Sequence, residues 1–194
     1  MKGAAQQPLV KTRRWTRKEY GRLIEHGILT EDDPIELVHG QLVVREPQST
    51  PHATGIELVS EALRSAFGPG WRVRAQLPMA LGLDSEPEPD VIVVRGSARD
   101  FLDDHPSTAA LIVEVAKRSL AFDRTVKASL YAHHGIAEYW IINLVDRVVE
   151  VHREPDVGPR RRSRYQRITV ARPGDAISPL AAPSAQIAVN DLLL

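Results

Sequence analysis

Residues 110–120 read ALIVEVAKRSL, and their reading decides the fold. Leu111, Ile112, Val113 and Val115 form an almost unbroken apolar run, the pattern of a strand buried on both faces. Glu114 interrupts it. An isolated ionised carboxylate is too costly to keep in an apolar interior. Three outcomes are open: the group is protonated, it pairs with a cation (Lys117, Arg118 or Lys127), or it binds a metal. Alternation puts Leu111, Val113 and Val115 on one face and Ile112 and Glu114 on the other. Glu114 also lies late in the strand, and strand ends are where α/β folds place ligand sites.

Upstream, DVIVV (90–94) reads as a short buried strand entered through the rigid EPEP. If it pairs with 111–116, Asp90 and Glu114 converge at one edge of the sheet. Two close carboxylates repel unless a cation lies between them, and oxygen donors of this kind suit Mg²⁺ or Mn²⁺. Downstream, Lys127 falls on the following helix, where it is either a solvated surface group or the cation that offsets charge on a phosphate or orients a water.

Further out, WTRKEYGRLIEHG carries a helix start: Thr16 caps it, Glu19 completes a capping box and Gly27 stops it. IELVHGQLVVRE reads as two strands about a His39–Gly40 turn. Thr50 is the expected cap of the next helix, with Pro51 in its first turn. WRVRAQLPMAL alternates like a strand. Asp123 is the expected cap of a helix ending near His133, and EYWIINLV and RVVEVHRE form a hairpin around Asp146–Arg147. YQRITVA and IAVNDLLL close the chain. This order predicts an α/β fold with a mixed sheet flanked by helices and extra N- and C-terminal strands. Residues 1–14 read as a flexible arm and 15–194 as a single domain.

Composition narrows the function classes. The 194 residues carry 25 basic and 25 acidic side chains, so no global basic field marks a DNA-wrapping protein. The absence of cysteine removes disulfides and thiolate metal sites. No signal-peptide core and no run of membrane-span length is visible, so the expectation is a soluble, cytoplasmic protein.

EPEPDVIVV, LIVEVA and DRTVKASLYAHHGIAEYWIINLVDRVVEVHR together resemble the Uma2 family of restriction-endonuclease-like proteins, part of the PD-(D/E)XK nuclease superfamily. IELVHGQLV, PHATGIELVSEAL and YQRITVARPGDAISPL extend the resemblance over most of the chain. It implies a restriction-endonuclease-like fold and a Mg²⁺- or Mn²⁺-dependent endonuclease acting on DNA. Asp90 and Glu114 would hold the metal, with the Val115 carbonyl as a further ligand. The lysine usually found two residues after the acid is absent, since Ala116 stands there; its role passes to Lys127. His52 would approach from the other side, with Glu36 supporting it and Gln76 as a further polar group. Lys117 departs from the pattern and either pairs with Glu114 or grips a phosphate. Arg160, Arg161 and Arg162, with Arg164, form a basic loop cluster, either solvated or in contact with phosphate. The alternative is a nuclease-fold binding or assembly module without turnover. A homodimer is expected, with EYWIINLV as an apolar interface.

Overall fold

The computed structural model describes residues 12–30, 32–45, 47–158 and 162–194. Residues 1–11 of the expected arm lie outside the described residues, as do Arg160 and Arg161. Helix α1 (Arg17–Glu25) starts as its sequence dictates. The Thr16 hydroxyl accepts from the Glu19 N–H at 3.2 Å, and the Glu19 carboxylate accepts from the Thr16 N–H at 3.0 Å. Strands β1 (Ile35–Val38) and β2 (Gln41–Val44) form a separate antiparallel hairpin. Its two-residue turn places His39 at φ 49° and Gly40 at φ 74°, the left-handed pair that matches strand twist.

Helix α2 (Thr50–Phe67) is followed by β3 (Trp71–Ala75), β4 (Val91–Arg95), β5 (Leu111–Ala116), β6 (Glu138–Asn143), β7 (Val148–Asp156) and β8 (Arg164–Ala171). These six strands make one sheet in that spatial order. Only β5 and β6 pair in parallel, and a parallel pair needs a crossover. Here it is one continuous helical stretch: α3 (Leu120–Phe122), a π turn (Asp123–Lys127) and α4 (Ala128–His133). Two short strands, β9 (Ala176–Ile177) and β10 (Ile187–Ala188), pair near the C-terminus.

Alternation sorts the side chains into two cores. Val91, Val93, Leu111, Val113, Val115, Trp140 and Ile142 pack against Ile56, Val59 and Leu63 of α2. Ile92, Ile112, Ala116, Tyr139 and Ile141 pack on the opposite face against Leu130 and Tyr131 of α4. Each fully buried aliphatic contributes about 1.5–3 kcal/mol, so the layers hold the sheet between two helical faces. Glu114 has the parity of Ile112 and Ala116 and faces the crossover helix. Among the described residues no helix is long and apolar enough to cross a membrane.

Several expectations are corrected. The cap of α2 is Ser49, one residue before Thr50, and it makes no side-chain cap bond. Strand β3 stops at Ala75, because Gln76 turns to φ 53°. Asp123 is not a cap: the helix already runs from Leu120, and Asp123 is buried within it. EYWIIN, the part of EYWIINLV that forms β6, cannot supply a dimer face. Every residue of β6 is buried, and the strand is paired on both sides. Its apolar run is that of an interior strand.

Candidate active site

The register of β4 on β5 ends at Val91 opposite Val113. One step further, the ladder gives way to a reciprocal exchange. Asp90 Oδ2 accepts from the Val115 N–H at 2.7 Å, and Glu114 Oε2 accepts from the Asp90 N–H at 3.2 Å. Each acid thus caps an amide at the other strand's end, which fixes both carboxylates without a long side-chain reach. A buried amide left open there would cost about 1–3 kcal/mol.

The remaining bonds come from four other elements. Lys127 Nζ donates to Glu114 Oε1 at 3.2 Å and to Glu36 Oε2 at 2.9 Å. The Tyr131 hydroxyl donates to Glu114 Oε1 at 2.7 Å. Glu36, on β1, also accepts from the Glu88 N–H at 3.0 Å. From α2, His52 Nε2 lies 3.1 Å from Asp90 Oδ1. Helix α2 comes this near because Gly55 packs against β5: a Cβ there would stand 2.9 Å from Val115 Cγ1.

One ammonium is thus shared among an excess of acids. Glu114 is only 5% exposed, Lys127 4% and Asp123 3%. Burial pushes Glu114 up to about 8; Asp90, Asp123 and Glu36 add like charge, and Lys127 opposes them. Asp123 is raised to about 6, again first by burial, with Ser119 and Lys127 opposing. Burial also opposes the Lys127 charge, but the carboxylates of Glu114, Glu36 and Asp123 outweigh it and hold the ammonium above its ordinary value. His52 is raised, mainly by its bond to Asp90.

These groups open into a cavity of about 670 Å³ between the β1–β2 hairpin and the start of the crossover helix. Of the expected site residues, the fold brings together Asp90, Glu114, Lys127, His52 and Val115. Gln76 borders the cavity, and its N–H donates to the Asp90 carbonyl at 3.1 Å. Glu36 is present but serves Lys127, not His52. Lys117 stands exposed at the cavity's edge; the cation that takes Glu114 is Lys127, not Lys117 or Arg118. Arg162 is exposed and does not border this cavity. Two residues of the site were missed in the sequence, Asp123 and Tyr131. With Lys127 they fall at four-residue spacing, a polar stripe that would have marked one helix face.

Among the described residues, no three His, Asp or Glu side chains are grouped closely enough to hold a metal between them. The Asp90–Glu114 pair suits an ion of the magnesium type, which takes one or two carboxylates and keeps several waters. The surplus of buried carboxylates over cations favours the same kind of guest.

The six-stranded mixed sheet thus carries an acid pair at the meeting ends of β4 and β5 and takes its lysine from the crossover helix. The chain is similar in structure to "a putative nuclease belonging to DUF820" from Anabaena variabilis. The TM-score is 0.70 at 17% identity, covering 91% of this chain and 96% of that one. The chain belongs to the Uma2 family, described as "Putative restriction endonuclease", which matches residues 17–190. No curated protein matches it.

Proposed function

We propose that this chain is a divalent-metal-dependent endonuclease that hydrolyses phosphodiester bonds of DNA in the cytoplasm. The reading is carried by the reciprocal Asp90–Glu114 exchange at the floor of an open cavity, with Lys127 bonded to the second acid. Asp90, Glu114 and the Val115 carbonyl hold Mg²⁺ or Mn²⁺. When bound, such an ion makes water more acidic and offsets charge on phosphate oxygens. Lys127 is kept cationic and aimed by Glu36, so it meets negative charge developing on the phosphoryl group or orients the attacking water. His52 hydrogen-bonds Asp90 Oδ1 through Nε2 and holds that carboxylate in place from the α2 side. Lys117 and Gln76 contact the phosphates that flank the scissile one. The chemistry is positioning plus electrostatics, as in phosphoryl transfer generally.

The test is cleavage of plasmid and single-stranded DNA with Mg²⁺ or Mn²⁺, wild type beside Asp90→Asn and Glu114→Gln. These isosteric changes keep the packing. Loss of cutting in both is expected, and equal cutting by all three would assign the activity to a contaminant.

A second reading, a binding module without turnover, is favoured by one observation. Both Glu114 oxygens already accept bonds from the protein itself, from Lys127, Tyr131 and the Asp90 N–H. Calorimetric titration of Mg²⁺ separates the two. Binding that disappears in Asp90→Asn supports the enzyme; no binding in either chain supports the module.

A further inference from the structure

The cavity has two tiers. Its floor is made of Glu36, Glu114, Asp123 and Lys127, all buried. Part of its wall is apolar. Val43 borders it from β2, on the face of its cross-strand partner Glu36, and Phe122 borders it from the crossover helix. Phe122 is only half-buried. Lys117 and Arg118, both exposed, border the same opening. Gln48 and Gln76 border a second recess as well, which continues along α2 beside Glu57, Ser60, Glu61 and Arg64.

A recess of about 670 Å³ is of a size that takes one compact ligand. Duplex DNA has a major groove about 12 Å wide on its own and bends only at a cost. A base held in a duplex is paired and stacked, and enters such a recess only when it is flipped out of the helix at a cost. A single strand bends freely, and its bases turn outward to stack on aromatic rings.

We propose that the apolar wall of Val43 and Phe122 receives one unpaired base of a single-stranded DNA segment. The adjoining phosphate then reaches the acid floor. Phe122 is the stacking platform, and Lys117 and Arg118 meet the phosphates on one side. The inference rests on the nuclease reading for what happens to that phosphate, but not for the binding itself.

The test is fluorescence anisotropy with Ca²⁺ present, using a labelled single-stranded oligonucleotide and the same sequence as a duplex. The proteins are wild type, Phe122→Leu, which keeps an apolar group on the core, and Phe122→Trp, which keeps a ring. Wild type is expected to bind the single strand at least about tenfold more tightly than the duplex. Phe122→Leu loses about 5- to 100-fold on the single strand, and Phe122→Trp retains it. Equal affinity for both forms, or full single-strand affinity in Phe122→Leu, overturns the inference. A parallel cleavage assay with Mg²⁺ or Mn²⁺ keeps the two readings apart. Phe122-dependent binding without cutting supports the base pocket and removes the hydrolytic role. Duplex and single strand cut at equal rates would remove the base pocket and leave the nuclease.

Discussion

Lys127→Met isolates the electrostatics of the site from its shape. Methionine keeps a flexible apolar stem of similar length and removes the ammonium. In the wild type, Nζ lies 2.9 Å from Glu36 Oε2 and 3.2 Å from Glu114 Oε1, and all three side chains are buried. Removing one partner from a buried pair costs roughly 3–5 kcal/mol, because the other charge stays desolvated and unpaired. For a chain of this size each kcal/mol lowers Tm by about 2–4 °C, so a fall of about 6–20 °C is expected in metal-free protein. The loss depends on pH in a defined direction. Burial raises Glu114 to about 8 in the wild type, and loss of Lys127 raises it further; the wild type therefore gains its Lys127–Glu114 ion pair as pH rises through about 8, and the variant has no such pair to gain. The deficit is therefore larger at about pH 9 than at about pH 6. Thermal denaturation of both chains at the two pH values, without divalent ions, measures it. A Tm within about 2 °C of wild type at both would refute the shared-ammonium argument, as would a deficit that grows on acidification. Glu36→Gln combined with Lys127→Met should cost less than the sum of the two changes, because each removes the other's partner.

Three further outcomes follow from other parts of the molecule. The raised Glu114 contributes stability that is fully present below its ordinary 4.5 and lost as pH rises through about 8; metal-free wild type should lose stability relative to Glu114→Gln across that window in urea titrations, and a constant difference would contradict it. Gly55→Ala adds helix propensity of about 1 kcal/mol but places a methyl 2.9 Å from Val115 Cγ1. Overpacking of about 1–3 kcal/mol should win, and the His52 pKa should drop toward its ordinary value by NMR as α2 moves off Asp90; a stabilised variant with His52 unchanged would show the contact to be loose. Arg153→Met strips the guanidinium from Glu138, which is fully buried and also accepts from the Trp140 indole at 2.9 Å and the Leu180 N–H at 2.7 Å. A loss of about 2–3 kcal/mol is expected by chemical denaturation, whereas no loss would mean that the two remaining bonds suffice.

Local chemistry in the chain was enough to read much of this. Glu114 was legible because an acid within LIVEVA violates a simple rule, and period-two alternation then told its face. Asp90 followed from the break before a buried run. The capping box at Thr16 and the turn at His39–Gly40 are short-range devices, and they form as written. The partners that come from afar were not legible. Glu36 and Lys127 are 91 residues apart, and nothing in either segment's periodicity ties them together. Glu36 was therefore assigned to the wrong neighbour, His52. Asp123 looked like a cap because a short acid before a helical pattern usually is one. The π turn that keeps the helix running from Leu120 past Lys127 leaves no local signature. EYWIINLV was misassigned for a related reason: an apolar run reads the same whether another copy of the chain or two flanking strands cover it.

The β1–β2 hairpin stands outside the main sheet, yet it is sewn down at several points. The Gly40 N–H donates to the Asp84 carbonyl at 2.6 Å, the His39 N–H to Ser85 Oγ at 2.9 Å, and Leu37 bridges to Glu86. Glu36 adds the tie to Lys127 from the opposite bank. The hairpin flanking the cavity is thus a fixed arch rather than a door. A guest entering beside it forfeits little affinity to ordering side chains, which otherwise costs about 0.5–1.5 kcal/mol for each one immobilised. Selection at this opening is by outline: a molecule fits the arch as built, or it is turned away.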